Sequence, residues 1–276
     1  MARPALEARR LPTELLWNLT LRELRSKFKR SALGWLWSVI NPLASIAIYS
    51  VVFGVFFEVD PPVGDPSGLE GYGFFLVCGL LPWTFLANGL NGATGSIVGN
   101  EGLVKKVYFP RAVLPAASVL AWLASYGVEL AVLGVVLLAV GNFVLPWVPV
   151  LVALMLLQTA FVLGIGLVLS AANAYFRDVQ HFLGIALNVW FYATPIIYPP
   201  DQPPEESTLL GVTIPVRSLM QLNPMAIFVD AYRNVLYDLR WPALTQWLAM
   251  SMIALVALVV GTLVFRRLEP RLAEEM

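Results

Sequence analysis

Chemistry needs groups that titrate, attack or ligate, and this 276-residue chain places few of them where they could act together. Glu129 is the only acid deep within an apolar run, and no Lys, Arg or His lies in the interior of any such run. An ionisable group inside a membrane is the natural place to look for function. A lone Glu with Ser125 and Tyr126 about one turn earlier fits pairing to a hydroxyl, lining of a polar cavity, or acid catalysis. Cys78 and His181 are the only residues of their kinds, which excludes an intrachain disulfide, a Cys-based zinc site and a His-rich metal site. A Ser–His–Asp or Cys–His set would have no slack. His181, at the start of an apolar run, reads more readily as a helix-end group than as a ligand. The chain has no HExxH, no GxSxG and no paired intramembrane carboxylates. Its lysines are Lys27, Lys29, Lys105 and Lys106; none follows Gly and none precedes Ser or Thr. The phosphate-cradling Gly-Lys-Ser/Thr loop is therefore missing, so any ATP-driven work needs an ATPase on another chain. No catalytic, cofactor-binding or metal residue is assigned within this one.

The elements that would carry any function are apolar. Hydrophobic residues make up 58% and charged residues 13% of the sequence, against roughly 45–50% and 25% in a soluble domain, and mean hydropathy is +0.73. Eighteen basic residues balance eighteen acidic ones, which removes the footprint of a nucleic-acid binder. Six runs approach the roughly 20 apolar residues that a spanning helix needs: Gly34 to Phe57, Tyr72 to Ile97, Ala112 to Val140, Pro146 to Ala172, Phe182 to Tyr198 and Ala243 to Phe265. The second is interrupted by Pro82, Asn88 and Asn91, and the fifth is short and ends in Thr194-Pro195. With six spans, alternating segments hold 15 Lys/Arg on one side and 3 on the other. The positive-inside rule then puts both termini in the cytoplasm. Residues 1–30 lack the apolar core and small-residue cleavage site of a signal peptide.

Between the spans, three segments have their own pattern. In residues 17–30, Trp17, Leu21, Leu24 and Phe28 repeat at i, i+4, i+7 and i+11, beside a polar row of Asn18, Arg22, Arg25 and Lys29. This predicts an amphipathic helix at the membrane interface, which either anchors the chain or also helps seat a cytoplasmic partner. The segment after the second span mixes Leu103, Val104, Val107, Tyr108 and Phe109 with Glu101, Lys105 and Lys106. It fits a docking helix for a groove in a soluble partner and fits equally a helix lying on lipid. Between the fifth and sixth spans, Pro199 to Pro204 form a turn. Residues 224–239 then place Met225, Phe228, Val229, Tyr232, Val235 and Leu236 at helical spacing, a short external helix that could cap a channel or lie on the outer leaflet. Aromatics, 12% of the chain, crowd the external half. Interfacial belts explain them without a ligand, and a stacking platform for sugar rings is the functional reading.

Five stretches in register resemble a known family over about residues 12–266. Arg30-Ser31-Ala32-Leu33-Gly34-Trp35-Leu36-Trp37 followed by Asn41-Pro42-Leu43 resembles the first-span opening of ABC-2 type permeases that export polysaccharides, O-antigen and teichoic acids. Leu103 to Arg111 with Leu114-Pro115 resembles that family's segment between spans two and three. Asn173-Ala174-Tyr175-Phe176-Arg177-Asp178-Val179 resembles its fourth-to-fifth-span loop. Phe191 to Tyr198 and Leu222-Asn223-Pro224-Met225 resemble its fifth-span end and the start of its external helices. Glu101-Gly102 departs from the family's less acidic, less flexible pair, and Thr194 stands in place of Ser.

The resemblance implies an all-α ABC-2 (type V exporter-like) transmembrane domain at 31–266. It would be flanked by a cytoplasmic N-terminus with the interface helix at 1–30 and a cytoplasmic tail at 267–276. It further implies a homodimer working with two copies of a separate ATP-binding subunit, where ATP and magnesium would reside, in the inner membrane. Residues 99–109 would couple to that ATPase and residues 199–242 would form an external gate with Met225, Phe228 and Tyr232. The mixture of aromatic faces with amide and hydroxyl edges leads to a lipid-linked glycan path through Asn41, Ser45, Tyr49, Phe53, Trp83, Asn88, Asn188 and Tyr192. An exporter of small amphiphiles or drugs with the same architecture, and an integral membrane enzyme of lipid metabolism, are the alternative readings.

Overall fold

The computed structural model describes residues 3–29, 33–59, 62–200, 202–209 and 212–272. Its elements in order are α1 (Arg3–Phe28), α2 (Trp37–Val51), α3 (Tyr72–Ser96), α4 (Glu101–Lys106), α5 (Val113–Ala139), α6 (Val148–Tyr175) and α7 (Val179–Tyr192). A hairpin of β1 (Ser207–Leu209) and β2 (Val212–Ile214) follows, then α8 (Val216–Gln221), α9 (Pro224–Arg233) and α10 (Leu244–Leu268). The hairpin pairs Thr208 with Thr213 in antiparallel register, and apart from it the described secondary structure is helical. Residues 30–32, at the head of the first-span motif, and 273–276 of the tail lie outside the described residues.

Among the described residues, five helical runs are long and apolar enough to cross a bilayer: Gly34–Phe56, Tyr72–Ser96, Val113–Ala139, Leu145–Tyr175 and Leu244–Leu268. The remaining predicted span is different. α7 has 14 residues, about 21 Å at 1.5 Å per residue, against a hydrocarbon core of roughly 30 Å. The chain reads Thr194-Pro195 just past its end, and a proline can neither donate to the helix nor tolerate a helical predecessor easily. The segment that follows is irregular, yet Thr194, Pro195 and Ile196 are buried.

α3 sits at the centre, packed by α5, α6, α2 and α9, while α6 pairs along its length with α10. Close approach in that pair needs glycine on both sides. A Cβ on Gly261 would run into the Gly164 carbonyl, and one on Gly164 would run into the backbone of Ala257 and Leu258. Polar breaks in the apolar runs turn out to join helices. Gln158, fully buried, donates to the Pro82 carbonyl of α3 at 2.7 Å, and Asn173 donates to the Thr94 carbonyl at 3.1 Å.

α9 is not an external helix lying on the outer surface. Met225, Phe228, Val229 and Tyr232, with Val235 and Leu236 in the π-helical turn after it, are completely buried against α3, α6 and α10. The reason is in its composition. Met225, Ala226, Phe228, Val229 and Tyr232 make a broad apolar face that must be covered, and its polar groups are satisfied within the fold, where Asp230 accepts from Gln246 of α10 at 2.5 Å and Arg233 is enclosed.

Candidate functional site

One end of the bundle carries α4. Its N-terminal Glu101 pairs with Lys105 one turn on at 2.6 Å, and that ammonium holds the Glu101 carboxyl below the usual carboxylate range. Of the predicted docking residues, Val104 points inward at 3% exposure and joins a core cluster with Ile97, Val113, Leu114 and Leu19. Leu103 and Phe109 pack partly against the same cluster. The outward surface is therefore narrower than the sequence implied. It consists of Lys105, Lys106, Val107 at 53% and Tyr108 at 102% exposure. Burying Val104 is worth about 1.5–3 kcal/mol, which ties α4 rigidly to the ends of α3 and α5.

α1 leans on this end and against α5. The stripe of Trp17, Leu21 and Leu24 faces outward or sideways, with Trp17 at 63% exposure, and the packed face is Leu15, Leu16, Leu19 and Thr20. The Phe28 side chain lies outside the described residues. Arg22 and Arg25 are exposed as the periodicity requires. Arg22 donates to the Asn100 side chain at 2.5 Å, and Asn100 in turn donates to the Ser96 carbonyl at 2.8 Å. That chain joins α1, the α3 terminus and the turn that leads into α4. Lys27, which belongs to neither row of the amphipathic pattern, reaches further along α5. Its ammonium sits 3.1 Å from the centroid of the Trp122 ring and donates to the Ala121 carbonyl at 3.2 Å and the Ser125 hydroxyl at 3.3 Å. Burial pushes its pKa down to about 7, with the charges of Glu129 and Glu23 acting the other way.

Asn41, Ser45, Tyr49 and Phe53 fall on one face of α2 and its π-helical extension, at least partly exposed. The Phe53 ring stacks on Tyr72 of α3 at 4.4 Å and lies 6.3 Å from Tyr49. Asn188 and Tyr192 share an exposed face of α7, and Asn88 is half-buried on α3. Trp83 departs from the group. It is buried, edge-on to Trp190 at 5.9 Å and 5.5 Å from Phe191, where it packs α3 against α7. Met225, Phe228 and Tyr232, expected at an external gate, are core residues.

The two ends of α9 fasten the irregular segment after α7. Asn223 caps α9 by accepting from the Met225 amide at 3.0 Å, also accepts from the Trp190 indole at 2.7 Å, and donates to the Thr194 hydroxyl at 2.9 Å. Arg233, fully enclosed, donates to the carbonyls of Pro195 at 2.6 Å, Ile196 at 2.5 Å and Phe75 at 3.3 Å, with its guanidinium 3.7 Å from the centre of the Phe75 ring. A Cβ at position 79 would press on that guanidinium at 2.9 Å, so Gly79 makes its space. In the sequence Arg233 is one of three basic residues, with Arg217 and Arg240, between the last two apolar runs. Its one signal was a basic residue at helical spacing from buried positions.

The described residues hold no group of three or more His, Cys, Asp or Glu able to bind a metal. The profile of the ABC-2 type transporter family matches residues 14–237. An O-antigen export system permease protein RfbA of Myxococcus xanthus is 31% identical over 263 residues, 95% of each chain. A namesake from Klebsiella pneumoniae is 29% identical over 264 residues, covering 95% of this chain and 94% of that one. The polysialic acid transport protein KpsM of Escherichia coli is 25% identical over 271 residues, 98% of each.

Proposed function

Because the chain belongs to the ABC-2 type transporter family, we propose that it is the membrane-spanning subunit of an ATP-driven exporter that moves a lipid-linked polysaccharide across the bacterial inner membrane. The observation that carries this reading is near end-to-end similarity, at 31% identity, to a protein named for O-antigen export. The chain works as a transport permease, without bond chemistry of its own. Two copies pair, and two copies of a cytoplasmic ATP-binding subunit, holding ATP and magnesium, dock on the end that bears α4. In the membrane α7 and the buried segment after it together act as a sixth crossing, so that both termini are cytoplasmic. The 15-to-3 distribution of basic residues supports that topology.

The mechanism follows from how force would travel. Val107 and Tyr108 sit in a groove of the ATPase, and the rim lysines Lys105 and Lys106 face its acidic edge. When ATP closes the partner dimer, the push on α4 passes through buried Val104 to α3 and α5, and through Asn100 to Arg22 of α1. The largely unpacked faces of α2 and α7 meet their counterparts across the dimer and part to admit the glycan. Tyr49 and Phe53 offer ring faces for sugar C–H surfaces; Asn41, Ser45, Asn88 and Asn188 offer hydrogen bonds. A sugar hydroxyl left unpartnered in a dry passage costs on the order of 1–3 kcal/mol, so a wholly apolar path would reject the polymer.

Deletion of the gene in its host, with complementation, tests the reading. Loss of surface polysaccharide with accumulation of lipid-linked polymer inside the cell, restored by the wild-type gene, is the expected result. Unchanged surface polysaccharide with altered sensitivity to amphiphilic drugs would transfer the function to small-molecule export.

A further inference from the structure

The final turn of the described chain returns to the end that bears α4. α10 stops at Leu268, and Pro270 two residues on cannot extend it. The backbone turns over Glu269–Arg271, and Leu272 comes back inward. It is fully buried in the cluster that holds Phe265 of α10, Val104 of α4, Leu114 of α5 and Ala171 of α6. Glu269 faces Arg111, which lies shortly after the outward docking residues. The Arg111 amide donates to the Glu269 carboxyl at 2.8 Å, and the Arg111 guanidinium donates to the Glu269 carbonyl at 2.5 Å. The Tyr175 hydroxyl, at the end of α6, donates to the neighbouring Leu268 carbonyl at 3.2 Å. The acid thus stands just before α5 and the base just after α10, the polarity that both helix dipoles favour.

We propose that this turn is a strut of the transport stroke: Arg111 and Glu269 are positioning residues that pass movement of the ATPase-docking segment to α10, and from α10 to α6. The proposal rests on the export reading above. The docking surface of Lys105 to Tyr108 is the outward part of a stretch fastened at both ends. Upstream, Val104 holds it by apolar packing, which is non-directional and lets surfaces slide. Downstream, two hydrogen bonds fix Arg111 in both distance and direction. Past Glu269 the route is stiff. α10 lies backbone to backbone on α6 at Gly164 and Gly261, and a close-packed contact of that kind transmits displacement rather than absorbing it. α3 and α5 receive the push through Val104. Without the strut, α6 and α10 would receive it only through apolar side chains that can slip.

The test uses the permease with its ATPase subunit in liposomes, with the lipid-linked polysaccharide as probe. Glu269→Ala and Arg111→Met should leave the ATPase bound and turning over, yet cut the polymer moved per ATP roughly tenfold, the scale of one charge-assisted hydrogen bond. Glu269→Gln keeps an acceptor for the Arg111 amide and should hold that ratio within about threefold of wild type. A merely structural contact would lower the melting midpoint and leave the ratio unchanged. A second measurement reads the intact strut. On a Cys78→Ala background, spin labels at Gly102→Cys or at Arg266→Cys, both exposed positions, report the distance between the two copies with and without trapped ATP. The two distances should change together. The proposal is overturned if position 102 moves and position 266 does not, or if neither moves. It is equally overturned if Glu269→Ala and Arg111→Met both keep a ratio within about threefold of wild type, if their export falls only in proportion to lost ATPase binding or turnover, or if Glu269→Gln is as uncoupled as Glu269→Ala. The label arm stays decisive even where a strut variant fails to assemble. Failure of the strut alone would leave ATP-driven transport by the wild-type complex intact, whereas failure of the export reading would remove it from the wild type itself.

Discussion

Replacing Arg233 should loosen the structure where α7 ends, and the sizes of the opposing terms set how much. The guanidinium donates to three backbone carbonyls and stacks on the Phe75 ring. A hydrogen bond from a charged donor is worth about 1.5–3 kcal/mol, and the ring contact adds about 1–2 kcal/mol when desolvated. Against this stands the cost of enclosing a cation, several kcal/mol. In Arg233→Met the charge and its desolvation cost both disappear, but the carbonyls of Pro195, Ile196 and Phe75 lose their donor. The net loss should be about 3 kcal/mol, within the range for breaking a buried charged contact. At roughly 2–4 °C per kcal/mol for a chain of this size, the melting midpoint should fall by about 6–12 °C. Arg233→Lys should be no better than Met, because an ammonium keeps the desolvation cost yet cannot span three acceptors. The assay is the temperature dependence of the monodisperse peak in detergent, followed by size-exclusion fluorescence. A lysine variant as stable as wild type, or both variants within 2 °C of it, would refute the claim that this fork of hydrogen bonds holds the segment.

Tyr108→Ala should release the ATPase subunit on purification, or uncouple ATP hydrolysis from export, far more than Lys105→Ala. A buried interface anchor costs about 2 kcal/mol or more when truncated, while a rim cation mainly affects association rate. Equal and mild effects would place that surface on lipid. Gly261→Ala forces α10 away from α6 and should cost about 1–3 kcal/mol through overpacking. By contrast Gly184→Ala, where a Cβ meets open space on α7, should be neutral or gain up to about 1 kcal/mol from helix propensity; thermal midpoints that rank the two the other way would contradict the packing described. Lys27 predicts a pH dependence. Its pKa falls from 10.5 in the unfolded chain to about 7 when folded, so between those values the unfolded chain binds more protons. Its contribution to stability therefore grows as pH rises through that window and is lost as pH falls through about 7. Comparing melting midpoints at pH 6 and pH 8.5 should show a slope in wild type that Lys27→Met lacks, and parallel slopes would count against burial of that amine.

Apolar run length was the part of the fold most legible in the sequence. The five long helices lie where runs of about 20 or more mostly apolar residues place them, α3 despite Pro82, Asn88 and Asn91 within it, because in a bilayer the length of a helix is set by the thickness it must cross. Which stripe of a helix packs was not legible. In α1, periodicity singled out Trp17, Leu21 and Leu24, whereas the bundle took Leu16, Leu19 and Thr20, and two apolar stripes on one helix differ only in what lies opposite. The burial of α9 escaped for a related reason. The spacing of apolar positions in residues 224–239 reads as a short external helix, and only the tertiary position of three carbonyls reveals why the Arg233 cation belongs inside. For the docking end the residue types were legible and their directions were not. Val104 and Tyr108 are four apart in sequence, yet the helix ends between them at Val107, whose backbone turns extended. One side chain therefore points into the core and the other points out.

The permease, reconstituted with its ATPase subunit in liposomes whose inner or outer leaflet carries the lipid-linked polysaccharide, should move the polymer across the bilayer when ATP is supplied on the face bearing α4. Translocation would be scored as ATP-dependent loss of glycan accessible to a polysaccharide-degrading enzyme on that face. Movement that needs ATP and fails without the ATPase subunit is the predicted result. Accessibility that stays the same with and without ATP, in liposomes where the ATPase is bound and turning over, would contradict it.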